Sequence, residues 1–184
     1  ASGYDGLLIK MLRASKSMVR LILTMAAGIL RGSYPFRDAL TSSRLIALKK
    51  PNGKVRPIAI GEAFYRLAMK TILIVVNPKI LNFQFGLSSR LGCEPLVHHY
   101  AETMKTKAGI ALDLKNAFNA IKRRHILHGL AKRWRYLIPF FLWSYGNRSH
   151  LFLQGQNPIF SSSGVRQGDP AGPMWFTLGY FETL

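Results

Sequence analysis

Two β-prone runs flank a turn in the stretch Arg44-Leu-Ile-Ala-Leu-Lys-Lys-Pro-Asn-Gly-Lys-Val-Arg-Pro-Ile-Ala-Ile60. The turn contains Asn52 and Gly53, and glycine tolerates the positive φ that a tight hairpin turn requires. The sequence therefore predicts a β-hairpin here. A helical pattern follows at residues 62–76, and Asn77-Pro78 is expected to end it.

Helices and short strands are predicted on both sides of this hairpin. Apolar residues at helical spacing occur at 7–31, where Gly32, Ser33 and Pro35 end the pattern, and helices are also predicted at 94–107, 123–135 and from 174 onward. Strands are predicted at 110–114, and as a pair at 150–153 and 159–161, while 86–92 is expected to be a loop and 137–145 to be buried. This mixed order of elements predicts an α+β domain.

The charge of the chain points to an anionic partner. The 184 residues include 26 Lys and Arg against 8 Asp and Glu, which gives a net charge of +18. Such a surplus is typical of proteins that bind nucleic acid. An acidic membrane surface is the second choice, because the cations are spread along the chain and not gathered on one amphipathic helix. No membrane-spanning helix is predicted, and the single cysteine excludes an intrachain disulfide.

The hairpin carries two cations at alternate positions. Lys54 and Arg56 lie two residues apart on a predicted strand, so both side chains point to one face. Two cations on one face of a hairpin can hold a phosphate chain or a nucleic-acid backbone. A charged edge strand that resists aggregation fits the same pattern, and the two interpretations stay open.

One carboxylate lies in an apolar run, Ile110-Ala-Leu-Asp-Leu114. A carboxylate buried in a strand needs a partner, and Asp113 at a strand end could hold Mg²⁺ beside a substrate phosphate. On the residues alone, a salt bridge to a nearby Lys or Arg is the favoured interpretation.

A loop rich in glycine and proline, Ser163-Gly-Val-Arg-Gln-Gly-Asp-Pro-Ala-Gly-Pro173, precedes the last helix. Gly168 is expected to let another backbone or a ligand approach closely. Asp169 followed by Pro170 is typical of a helix N-cap with proline at the first helical position. A capping role for Asp169 is therefore favoured over a catalytic one.

These segments together resemble the fingers and palm of a reverse transcriptase of the non-LTR retrotransposon type. The resemblance rests on the hairpin, on Gln84-Phe-Gly86 with Gly92-Cys-Glu94, on Asp113-Leu-Lys-Asn-Ala-Phe-Asn119 and on Ser161-Ser-Ser-Gly-Val-Arg-Gln-Gly168. It implies a partial right-hand polymerase, with fingers and an incomplete palm at 44–184. Residues 1–43 match less clearly and are expected to form an N-terminal helical extension.

The resemblance also implies roles for single residues. Asp113 matches the first metal-binding aspartate of the palm, and Phe118 matches the aromatic that blocks a ribose 2′-OH. Gln167 and Gly168 match the loop that packs against the nascent base pair. Lys54 and Arg56 match the fingers residues that face the triphosphate and template. Further RNA-binding side chains are expected among the other cations of the chain, namely Lys49, Lys50, Lys122, Arg123, Arg124, Lys132, Arg133, Arg135 and Arg166.

The second set of catalytic carboxylates is missing from the sequence. Polymerase chemistry uses two metal ions, and the family supplies further ligands from an Asp-Asp pair that this sequence lacks. Lys115 and the run Lys122-Arg-Arg124 add positive charge near Asp113, which would disfavour Mg²⁺. We therefore expect a chain that lacks activity by itself and needs no cofactor, with Mg²⁺ bound at Asp113 only if another chain completes the site.

Two functions follow from this expectation. The first is a non-catalytic RNA-binding component of a ribonucleoprotein such as a mitochondrial ribosome, with RNA and other proteins as partners and no membrane. The second is a fragment or split half of an active RNA-directed DNA polymerase. A mitochondrial or nuclear location is favoured over secretion.

Overall fold

The computed structural model describes residues 1–12, 15–76, 86 and 91–181. Most of the predicted loop at 86–92 lies outside these residues. So do Gln84 and Phe85 of the family resemblance, and the predicted helix stop at Asn77-Pro78.

The described helices and strands give a mixed α+β fold, as predicted. The helices are α1 (Lys16–Leu30), α2 (Arg37–Thr41), α3 (Ala63–Val76), α4 (Cys93–Thr103), α5 (Ala117–Ala120), α6 (Arg123–Arg133), α7 (Ile138–Tyr145) and α8 (Gly172–Phe181). Short 3₁₀ turns lie at Ile9–Met11 and Arg135–Leu137. The strands are β1 (Ser43–Lys49), β2 (Val55–Gly61), β3 (Ser149–Phe152) and β4 (Ile159–Ser161).

The strands form one mixed sheet in the order β2-β1-β3-β4. β1 and β2 form the predicted hairpin, with Leu48 opposite Arg56, and Gly53 in its turn has a φ of +75°. The predicted pair β3–β4 is antiparallel and places His150 opposite Phe160. β1 joins the two hairpins by a short parallel pairing with β3. In the sequence, β3 comes after helices α1 to α7, so the chain passes through these helices before it returns to pair with the first hairpin.

The hydrophobic core lies among the helices. α1 packs against α3 and α7, and α6 packs against α8. Helix α1 begins where the Ser15 hydroxyl accepts a hydrogen bond from the Met18 amide (3.1 Å), and Gly32 follows its end with a φ of +73°. The largest fully buried side chains are Trp175, Tyr65, Tyr145, Phe140 and Phe141. Side chains of α1 and α3 thus belong to the same core. The domain boundary expected after residue 43 stays a prediction.

The prediction of a strand at 110–114 is wrong. Residues 108–114 have no regular secondary structure, and Ile110 and Leu112 are 88% and 67% exposed. The apolar composition favoured a buried strand, but a strand requires a neighbour to satisfy its backbone groups. No described strand lies beside this segment.

Candidate nucleic-acid interface

The loop at 165–169 is fixed directly on the fingers hairpin. The Gln167 carbonyl accepts a hydrogen bond from the Ala59 amide of β2 (2.8 Å). Gly168 has a φ of +121°, and a Cβ atom there would lie 2.4 Å from the Ala59 carbonyl oxygen. The close backbone approach expected at Gly168 is therefore confirmed, and it ties Gln167 to the base of the hairpin.

The same loop is also tied to the segment that carries Phe118. The Val165 amide donates to the Phe118 carbonyl (2.8 Å), and Gly164 lies so close that a Cβ would come within 2.5 Å of that oxygen. The Phe118 ring is half-buried and stacks on Phe176 of α8, with 5.0 Å between the ring centroids. The structure thus brings Phe118, Gln167 and the hairpin into one assembly of loops.

A buried polar network holds the loop from inside. One oxygen of the Asp169 carboxylate, Oδ2, accepts hydrogen bonds from the Tyr65 hydroxyl (2.7 Å), the Tyr145 hydroxyl (2.6 Å) and Nη2 of Arg166 (3.1 Å). The Arg166 guanidinium also donates to the Ser149 hydroxyl (2.7 Å). The side chains of Arg166 and Asp169 are 2% and 1% exposed. A buried ion pair of this kind needs hydrogen bonds beyond the pair itself, and the hydroxyls of Tyr65, Tyr145 and Ser149 supply them here.

The ionisation of the network follows from its burial. Burial raises the pKa of the Tyr65 and Tyr145 hydroxyls well above their usual value, and the neighbouring Asp169 charge adds to the effect. Burial alone would lower the pKa of Arg166, but the oxygens of Tyr145, Tyr65 and Asp169 outweigh it and raise that pKa. Arg166 therefore stays charged, and both tyrosines stay protonated and donate to Asp169.

Two of the residues expected to bind RNA have structural positions instead. The prediction for Arg166 is wrong, because its side chain is buried and paired with Asp169. The prediction for Arg123 is also wrong, since its guanidinium donates to the carbonyls of Gly164 (3.0 Å), Tyr145 (2.9 Å) and Ser161 (3.1 Å). Burial lowers the pKa of Arg123 to about 10. Arg123 thus joins the start of α6 to the loops beside it.

Asp169 does more than cap a helix. Its second oxygen, Oδ1, accepts a hydrogen bond from the Ala171 amide (2.9 Å), just before α8 begins at Gly172. The predicted capping interaction is therefore present in the turn that leads into the helix. The sequence did not indicate the tyrosine partners, which are 104 and 24 residues away from Asp169. Only the three-residue spacing of Arg166 and Asp169 could have suggested an ion pair.

Asp113 stands apart from this network. It is exposed, and among the described residues it forms no ion pair. The favoured salt bridge is therefore not formed with any described Lys or Arg. The described part of the chain contains no group of three or more side chains that could hold a metal ion. A pair of metal ions needs more ligands than one carboxylate provides, so Asp113 by itself does not form the metal site.

The remaining predicted cations lie on the surface. Lys49, Lys50, Lys54 and Arg56 surround the exposed hairpin turn, and none of them pairs with an acidic side chain of the described residues. Exposed cations also lie on and around α6, namely Lys122, Arg124, Lys132, Arg133 and Arg135. That these side chains bind RNA stays a prediction.

Comparison with known proteins identifies the class of this assembly. A model of the reverse transcriptase family (RNA-dependent DNA polymerase) matches residues 48–181, and the chain belongs to this family. The chain is also 32% identical over 158 residues to the retrotransposable element SLACS 132 kDa protein of Trypanosoma brucei gambiense. These findings confirm the resemblance to the non-LTR retrotransposon type.

The match covers the two chains very unequally. It spans 79% of this chain but 13% of the SLACS protein. Within the described residues, no helix is both long and apolar enough to span a membrane.

Proposed function

We propose that this chain forms the fingers and the first part of the palm of an RNA-directed DNA polymerase encoded by a retrotransposon-like element. The observation that carries the proposal is the hydrogen bond between the Ala59 amide and the Gln167 carbonyl (2.8 Å). It joins the hairpin to the loop that the family places against the nascent base pair. The hairpin cations and Gln167 are therefore positioned by one connected unit.

Electrostatics supports a phosphate-binding role for the hairpin turn. Its four cations are exposed and lack acidic partners among the described residues. Unpaired cations on a short, well-defined turn are suited to the charges of a triphosphate or a template backbone. In this proposal Arg56 contacts the incoming nucleotide, and Lys49, Lys50 and Lys54 contact phosphates.

Asp113 is assigned the role of one metal ligand. An exposed carboxylate without a partner among the described residues is free to bind a divalent cation. The other ligands would come from protein outside these 184 residues, since the sequence contains no Asp-Asp pair. Mg²⁺ is the cation that such polymerases typically use.

A non-catalytic ribonucleoprotein component is the less supported alternative. That expectation depended on the Asp-Asp pair that is missing from these 184 residues. The match covers only 13% of the SLACS protein, so most of that relative has no counterpart in the sequence compared. No described contact favours a ribosomal role. A mitochondrial or nuclear location likewise stays a prediction.

The test is primer extension by the protein that carries this chain, with an RNA template, a DNA primer, deoxynucleotides and Mg²⁺. We expect extension by the wild type and its loss in Asp113→Asn, while RNA binding stays within about twofold. Arg56→Ala should raise the KM for deoxynucleotides, whereas the matched control Arg135→Ala should not. RNA binding without any extension, or extension that survives Asp113→Asn, would contradict the proposal.

A further inference from the structure

The outer face of the second hairpin carries a row of rings. His150 and Phe160 lie opposite each other in the β3–β4 register, with ring centroids 4.9 Å apart. Phe152 lies two residues after His150, therefore on the same face, at 5.9 Å from the imidazole. The ring of Tyr4 stacks on Phe152 at 4.2 Å. We call these four side chains, Tyr4, Phe152, His150 and Phe160, the aromatic row.

The aromatic row is open to solvent. Tyr4 is 63% exposed and Phe160 is 45% exposed, and none of the four side chains belongs to the hydrophobic core. Aromatic side chains provide large apolar surfaces that are usually buried in a core or in an interface. Cross-strand pairing explains the contact of His150 with Phe160, but it does not require Tyr4 to extend the row.

The carboxylate of Glu62, directly after β2, fixes the backbone at Tyr4. The Tyr4 amide donates to Oε1 of Glu62 (2.9 Å), and the Asp5 amide donates to Oε2 (3.4 Å). Gly3 lies so close to Glu62 that a Cβ atom would meet its carboxylate at 2.4 Å. The N-terminal segment therefore holds one face of the Tyr4 ring on Phe152, while most of the residue stays exposed.

Two arginines flank the row. The guanidinium carbon of Arg148 lies 4.3 Å from the centre of the Phe160 ring. Arg44 lies opposite Phe152 in the β1–β3 register, and its buried Nε has no hydrogen-bond partner. Because Nε itself is closed to solvent, a bound phosphate would be contacted by the other nitrogens of the Arg44 guanidinium.

A groove continues from the row along β1. It has a volume of about 1210 Å³, and Tyr4, Phe152 and Arg44 contribute to its walls. The turn after β3 adds the amide side chains Gln154, Gln156 and Asn157, and none of the described acidic residues lines the groove. Small-molecule pockets usually measure roughly 300–1,000 Å³, so this groove is more suited to a polymer.

We propose that the aromatic row and this groove bind single-stranded RNA, with unpaired bases stacked on the rings and phosphates near Arg44 and Arg148. Every base has a flat π-face, so stacking accepts any sequence. The amides can donate to and accept from base edges. The positive charge of the chain favours an anionic ligand, and the stacked rings favour RNA over an acidic peptide, because each unpaired base has a flat π-face. The proposal deepens the RNA-binding function proposed above by adding a second contact surface outside the hairpin turn.

The test is the binding of a fluorescein-labelled 12-nucleotide oligo(U) to the 184-residue chain, measured by anisotropy over a series of KCl concentrations. Tyr4→Ala and Phe160→Ala should each weaken binding about fivefold or more, because stacking contributes roughly 1–3 kcal/mol per base. Both should leave the salt dependence unchanged, since the lost contact is not ionic. Tyr136→Ala is the matched control, a 61% exposed tyrosine outside the sheet, and should change the affinity less than twofold.

Other outcomes separate this proposal from the proposed function. Lys54→Ala should reduce the slope of log K against log [KCl] by about 0.7, the value for one phosphate contact on a single strand. If Lys54→Ala weakens binding but Tyr4→Ala and Phe160→Ala do not, the aromatic row is only structural and the polymerase proposal stands. Binding of a 12-base-pair duplex as tightly as oligo(U) would also overturn the stacking role. An absence of any RNA binding would contradict both proposals.

Discussion

The loop at 165–169 and the segment at 109–116 are packed in opposite ways. In the loop, Asp169 is buried and accepts hydrogen bonds from Tyr65, Tyr145 and Arg166. In the segment, Asp113 is exposed between apolar side chains that are exposed as well. The described residues thus hold the loop motif firmly, whereas they hold the other motif at Phe118 and leave Asp113 exposed without a partner. The comparison shows that the polymerase loop is pre-organised by this chain alone, whereas the metal-binding aspartate is not.

The largest effect should come from the buried carboxylate. Asp169→Ala leaves the Arg166 charge buried without its partner, and we expect a loss of about 3–5 kcal/mol in the free energy of unfolding. Asp113→Ala is the control, and as an exposed carboxylate without an ion pair it should change stability by less than about 0.5 kcal/mol. Urea-induced unfolding of both variants measures the difference. Equal losses of unfolding free energy in the two variants would contradict the contrast between a buried, bonded Asp169 and an exposed Asp113.

A smaller effect is expected at the contact between the loop and the hairpin. Gly168→Ala combines a positive φ with a clash against the Ala59 carbonyl, and we expect a loss of about 3 kcal/mol. Gly53→Ala is the matched control, because Gly53 also has a positive φ but has open space around it. It should cost about 1–2 kcal/mol from the backbone alone. Thermal unfolding measures both, and a Gly53 variant as unstable as the Gly168 variant would contradict the contact.

Stability should also depend on pH through Glu62. Burial and a hydrogen bond with the Asp5 side chain raise the pKa of Glu62 from 4.5 to about 7. The folded state therefore binds a proton that the unfolded state releases, so this contribution is complete below about pH 4.5 and is lost as the pH rises through 7. Glu62→Gln should flatten the fall in unfolding free energy over that window. Glu102→Gln, in an exposed ion pair with Lys105, is the control and should not.

Much of the fold could be predicted from the sequence. The β1–β2 hairpin followed from its Asn52-Gly53 turn, and helices α3 and α6 followed from their helical patterns. These are local patterns, and the structure bears them out. The strand at 110–114 was predicted wrongly, because apolar composition does not reveal whether a neighbouring strand is present.

The site was less predictable than the fold. The family motifs located Phe118, Gln167 and Gly168, which the structure brings to one assembly. The sequence could not show that Arg166 and Arg123 point inward, because their partners are distant tyrosines and backbone carbonyls. The aromatic row was missed for a similar reason. The alternation of His150 and Phe152 was a visible signal, but it became a surface only through the register with Phe160 and the stacking of Tyr4.

The central claim is that this chain holds the loop at 165–169 by itself and leaves the segment at 109–116 unsupported. Amide hydrogen exchange of the 184-residue chain tests it directly. We expect strong protection at the Val165 and Ala171 amides, which donate to the Phe118 carbonyl and the Asp169 carboxylate. The amides at 110–114 should exchange at nearly the rate of an unfolded peptide. Protection at 110–114 equal to that of Val165 would contradict the claim.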